Sequence, residues 1–133
     1  MRIRSSCPAY NEMVGRYYDH LLPHLVSRQL ENGGNILMMQ VENEYGSYGE
    51  DKAYLRAVRD LMLERGVTCP LFTSDGPWRA TLEAGTLIDE DLLVTGNFGS
   101  RADENFASMK EFFQEHDKKW PLMCMEFWDG WFN

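Results

Sequence analysis

From Tyr10 onward the apolar residues Met13, Val14, Tyr17, Tyr18, Leu21, Leu22, Leu25, Val26 and Leu30 recur at spacings of three and four, the pattern of an amphipathic helix. Ser6 is a candidate N-cap, Gly33 and Gly34 close the run, and Pro23 is a place for a kink. "NILMMQV" then lacks polar alternation, as expected of a parallel strand covered on both faces. Helical spacing returns in "EDKAYLRAVRDLMLERG", where Tyr54, Leu55, Val58, Leu61 and Met62 share a face and Gly66 is the expected C-cap. "PLFTSD" reads as the next strand. "GPWRATLEAGTLIDE" reads as one short helix with a long loop, and "LLVTGN" as a further strand. A helix over "DENFASMKEFFQEHDKK" turns Phe106, Met109, Phe112 and Phe113 inward, and "PLMCME" is the last strand.

The order α-β-α-β-(short α)-β-α-β predicts an α/β fold in which helices pack on a parallel sheet. Four strands fit half of an eight-stranded barrel or a small doubly wound sheet, and the pattern does not separate the two. No linker, repeat or low-complexity segment divides the chain.

The strands end in "ENE", "SD", "GN" and "ME", so Glu42, Asn43, Glu44, Asp75, Asn97 and Glu126 all stand where strand gives way to loop. In parallel α/β proteins the carboxyl ends of strands converge on one face, where sites are built. Asp75 and Asn97 are equally readable as turn residues. Glu44 and Glu126 are harder to assign to structure alone, because a carboxylate ending an apolar strand costs free energy unless it is paired or used. A retaining glycosidase needs two carboxyl groups about 5 Å apart, one to protonate the leaving oxygen and one to attack the anomeric carbon. The rings of "MEFWDGWFN" suit the apolar face of a sugar, although Phe127 and Phe132 are equally good core residues.

Composition narrows the partners. A formal net charge of −8 with no Lys/Arg cluster argues against nucleic acid and anionic membrane, whose affinity rests on neutralising phosphates. Cys7, Cys69 and Cys124 show no CxxC spacing, so small buried thiols are expected rather than a disulfide framework or a zinc site. His20 and His24 stand four apart on the first helix without a visible third ligand, and no metal is expected. The eight methionines fall in strands and on apolar helix faces, as core packing requires. No run approaches the roughly 18 apolar residues of a membrane span, and the opening "MRIRSSCPAY" lacks the apolar core of a signal peptide, so the chain reads as soluble.

"GGNILMMQVENEYGSYG" and "PLMCMEFWDGWFN" closely resemble the two signature segments of the family 35 glycoside hydrolases, the retaining β-galactosidases. "LFTSDGP" and "MRIRSS" also resemble that family, and the likeness runs along essentially the whole chain. Asn35 departs from it, standing where the family usually places proline. The resemblance implies a partial (β/α)8 TIM barrel, roughly strands four to seven with their helices. It implies Glu44 as general acid/base and Glu126 as nucleophile. Asn43 would bond the sugar's 2-hydroxyl, and Trp128 would lie beside the galactose; Asn97 is a further substrate-binding candidate. Glu42 shares a face with Glu44 by period-two alternation, so spacing alone leaves either as the acid; the resemblance favours Glu44. The substrate implied is a β-galactoside or galactose-containing oligosaccharide, with no cofactor, since two carboxyl groups supply both acid and nucleophile.

The resemblance also implies that residues 1–133 are a fragment of one catalytic barrel domain, with strands missing on both sides, so the lack of a signal peptide says nothing of the parent's compartment. An open half barrel exposes strand edges, and the isolated chain is expected to fold poorly or associate, with little activity. A carbohydrate-binding protein without catalysis and another clan-related retaining β-glycosidase are the alternatives.

Overall fold

A computed structural model of the chain describes residues 1–130. Phe132, named above as a core or sugar-facing ring, lies outside the described residues. The elements are α1 (Pro8–Val26), β1 (Met39–Gln40), α2 (Lys52–Glu64), β2 (Leu71–Asp75), α3 (Arg79–Gly85), β3 (Leu93–Asn97), α4 (Ala102–Glu115) and β4 (Cys124–Glu126). Single 3-10 turns occupy Leu30–Asn32, Tyr45–Ser47 and Ile88–Glu90. The strands form one sheet in the order β1-β2-β3-β4, with β1 parallel to β2 and β3 parallel to β4. This sequential α/β arrangement is consistent with a partial barrel of the (β/α)8 kind. The chain resolves into two compact units, residues 1–41 with 51–72, and residues 42–50 with those from 73 onward.

In the first unit α1 begins at Pro8, whose fixed φ and missing N–H suit the first turn. The N-cap is therefore Cys7 rather than Ser6, and the Ser6 backbone N–H instead donates to Asp51 at 2.7 Å. Asp51 caps α2, accepting also from Tyr54 N at 3.1 Å. These backbone N–H groups, Ser6 foremost, hold its carboxyl below the ordinary range. Pro23 lies within α1, which ends at Val26, well before Gly33 and Gly34; Gly33 instead closes the turn Leu30–Asn32. Leu22 is buried while Met13 and Tyr17 stay exposed, because the apolar run is wider than the face α1 turns to α2. Gly66 follows α2 at φ +91, the left-handed position where a β-carbon is costly. The predicted strand over "NILMMQV" is shorter than its apolar run: only Met39 and Gln40 pair with β2, and Leu37 is exposed.

Gln29 holds this unit together from a fully buried position. Its Oε1 accepts from Thr68 N at 2.9 Å and Cys69 N at 3.0 Å, and its Nε2 donates to Gly66 O at 3.2 Å and Val26 O at 3.4 Å. Burial of the neighbouring Cys69 pushes its thiol pKa up.

The second unit is built on an apolar cluster of Leu82, Ile88, Val94, Phe98, Met109, Phe112 and Phe113. Three of the four predicted inward residues of α4 are in it, and Phe106 packs against it partly buried. Arg79 at the start of α3 pairs with Glu115 of α4 and with Glu83, and these partners raise its pKa. Strand β2 is buried throughout and β3 nearly so, which accounts for their unbroken apolar and small-residue runs.

Candidate active site

Every side chain of the candidate site lies in the second unit. After Val41 the backbone leaves extended geometry. Glu42 and Glu44 both adopt left-handed φ, 61° and 48°, a conformation that non-glycine residues hold only when their surroundings fix it. The alternation that put Glu42 and Glu44 on one face therefore does not apply, since β1 has already ended at Gln40. Glu42 turns its Oε2 back to accept from Asn43 N at 2.9 Å, and Asn43 is exposed.

Two residues of β2 fix this left-handed segment. Ser74 O accepts the Glu44 N–H at 3.0 Å, and Asp75 Oδ1 accepts the Gly46 N–H at 2.6 Å. Gly46 is needed here because a β-carbon would lie 2.0 Å from Thr81 O. Asp75, expected either in a site or as a turn residue, is thus buried and braces the loop that follows Glu44.

At the end of β3 the register against β4 shifts, from Gly96 opposite Cys124 to Asn97 opposite Glu126, so Met125 is an extra residue on β4. Bulges of this kind re-aim side chains at sites. Here the shift leaves the Glu126 N–H to Asn97 Oδ1, at 3.2 Å. Asn97 Oδ1 also accepts from Ser74 Oγ at 2.5 Å. Its Nδ2 donates to Glu44 Oε1 and to Glu126 Oε1, each at 3.1 Å. A backbone N–H on one side and two carboxylates on the other fix which end of the amide is oxygen.

Glu44, in the loop after β1, and the strand ends Asn97 and Glu126 are therefore joined by hydrogen bonds through the Asn97 amide. Both Oε1 atoms accept from the one Nδ2, which brings the two carboxyl groups side by side. Glu44 is half-buried and Glu126 exposed. Trp128 Nε1 donates to Glu126 Oε2 at 3.3 Å, so both Glu126 oxygens face an N–H. Beside them a cleft of about 310 Å³ is lined by Trp78, Phe98, Trp128 and Asp129 among others.

Sequence reasoning did not reach Ser74 or Trp78. A buried serine in an apolar strand carries no signal by itself. A tryptophan three residues past a strand end, in "DGPW", is a weak one. Among the described residues no three His, Cys, Asp or Glu side chains come together as a metal site requires, and no helix is long and apolar enough to cross a membrane. Cys7, Cys69 and Cys124 are free thiols.

The family model for glycosyl hydrolases family 35 matches residues 1–133, and the chain belongs to that family. It is 37% identical to human beta-galactosidase-1-like protein 2 over all of this chain and 20% of the relative. The beta-galactosidase of the dog is 38% identical over 98% of the chain and 19% of its own length. Beta-galactosidase 17 of Arabidopsis thaliana is 36% identical over 98% of the chain, again 19% of the relative. The chain thus spans about one fifth of the length of the curated relatives it matches.

Proposed function

We propose that the protein to which this chain belongs hydrolyses terminal β-D-galactosyl residues with retention of configuration, and that the chain supplies strands four to seven of its barrel. The observation that supports the reading is the single Asn97 amide that bonds both Glu44 and Glu126, since two carboxyl groups sharing one nitrogen suit the close spacing of a retaining pair better than the wider one of an inverting pair. In the first step a Glu126 oxygen bonds the anomeric carbon as the bond to the aglycone oxygen breaks, and Glu44 gives that oxygen its proton. In the second, Glu44 takes a proton from water, whose oxygen displaces Glu126 and releases galactose. N–H donors at both oxygens of Glu126 suit a group that works as a carboxylate. Asn43, exposed next to Glu44, would reach the 2-hydroxyl, and Trp128 offers a ring to the apolar face of the sugar.

The test is release of nitrophenol from aryl β-galactoside and aryl β-glucoside by the complete polypeptide. Galactoside-selective turnover is expected, with the β-anomer of galactose formed first by NMR. Glu44→Gln and Glu126→Gln are each expected to lower kcat about 10³-fold or more. Turnover that survives either substitution, or an α-anomer as first product, overturns the reading.

A further inference from the structure

Asn97 is fully buried and uses its whole hydrogen-bonding capacity on protein partners. Its oxygen accepts twice, from Ser74 Oγ and Glu126 N, and its nitrogen donates twice, to Glu44 and Glu126. An amide has two donors and two acceptor sites, so none is left for a sugar hydroxyl. The substrate contact expected of Asn97 thus has no free polar atom to make it. What it does touch is the carboxyl group of both glutamates.

We propose that Asn97 is a positioning residue that orients Glu44 and Glu126 together, with Ser74 fixing the amide; this rests on the reading of the two glutamates as the catalytic pair. The amide holds Oε1 of both carboxyl groups, and Oε2 of Glu126 also accepts from Trp128 Nε1. With Oε1 of Glu44 tied to Nδ2, its Oε2 is left to carry the proton toward the leaving oxygen. With Oε1 of Glu126 tied to the same nitrogen and Oε2 to Trp128 Nε1, rotation about its last bond is restricted. Ser74 couples the two, because its carbonyl holds the Glu44 backbone while its hydroxyl holds the Asn97 oxygen. Displacement of reacting groups by about 1 Å can cost on the order of 100-fold in rate, so one amide shared by both groups has leverage on both chemical steps.

The experiment uses the complete polypeptide and two readouts that separate the glutamates. Covalent trapping by 2-deoxy-2-fluoro-β-D-galactosyl fluoride reports Glu126, because fluoride departs without help from an acid. The ratio of kcat/KM for dinitrophenyl over phenyl β-galactoside reports Glu44, because only the poorer leaving group needs the proton. Asn97→Ala is expected to slow trapping about tenfold or more and to raise that ratio by a similar factor, with the inhibition constant of galactose within about twofold of wild type. Glu44→Gln should raise the ratio while trapping stays near the wild-type rate. Glu126→Gln should abolish trapping. Ser74→Ala removes a single bond to the amide and is expected to give the Asn97→Ala pattern at a few-fold amplitude, which covers the case in which Asn97→Ala does not fold. Wild-type trapping and leaving-group dependence in Ser74→Ala or in folded Asn97→Ala overturn the proposal. So does weakened galactose inhibition with chemistry unchanged, which would return Asn97 to the substrate-binding residues. A wild-type protein that neither turns over nor is trapped removes the catalytic pair itself, and the positioning role with it.

Discussion

Gln29 in the first unit and Asn97 in the second are the same chemical solution put to different ends. Both are fully buried primary amides, and both fill two donor and two acceptor positions. Every partner of Gln29 is a backbone group, at the end of α1 and in the segment from Gly66 to Cys69. It therefore ties two stretches of chain together and satisfies peptide groups that burial would otherwise leave unpaired. Three of the four bonds of Asn97 go to side chains, and two of those end on carboxyl groups. A buried amide bonded to backbone is structural. One bonded to carboxyl groups at strand ends governs how those groups point. The comparison teaches that burial and saturation do not distinguish a structural amide from a functional one; the identity of the partners does.

The strongest way to break the comparison is Gln29→Leu. It removes the partner of the Thr68 and Cys69 N–H groups and of the Gly66 carbonyl, while Val26 O keeps the Asn32 amide, and should cost about 3 kcal/mol in denaturant unfolding of the complete polypeptide. Well below the unfolding midpoint, kcat and the leaving-group ratio should match wild type, opposite to the pattern expected of Asn97→Ala. A chemical defect in folded Gln29→Leu would erase the distinction between the two amides.

Asp51→Ala tests the first unit more gently. Loss of this N-cap should cost about 1 kcal/mol at neutral pH. The folded carboxyl titrates below its ordinary value, so its contribution is present above the unfolded value of about 3.9 and is lost as pH falls through the folded one. The gap between wild type and variant should therefore be full at pH 7 and close below about pH 4, followed by thermal unfolding across that range. A gap that does not change with pH would mean the cap acts without its charge.

Glu12→Ala sets the lower end of the scale. Glu12 and Arg16 pair at 3.2 Å with side chains 70% and 68% exposed. Its removal should shift stability by no more than about 0.5 kcal/mol, less in high salt.

Much of this was legible in the chain. Helix α2 announced itself through Tyr54, Leu55, Val58 and Met62, all buried on one face, and β2 and β3 through runs too apolar to be half-exposed. Glu44 and Glu126 stood out because carboxylates end apolar segments only where something holds them. Boundaries were less legible. Apolar spacing carries past the last helical hydrogen bond of α1, and "NILMMQV" is apolar over more residues than have a strand to pair with.

The sequence by itself determined the alternation of elements and the family, because periodicity and local motifs are properties of neighbours along the chain. The tertiary structure alone decided that Asn97 faces two glutamates, 53 residues before it and 29 after it, that Ser74 completes the link, and that Asp75 braces the loop behind Glu44. No spacing rule reaches across such separations. Those contacts follow from a one-residue register shift between β3 and β4 and from two left-handed residues after β1, which arise only when distant segments have been packed against one another.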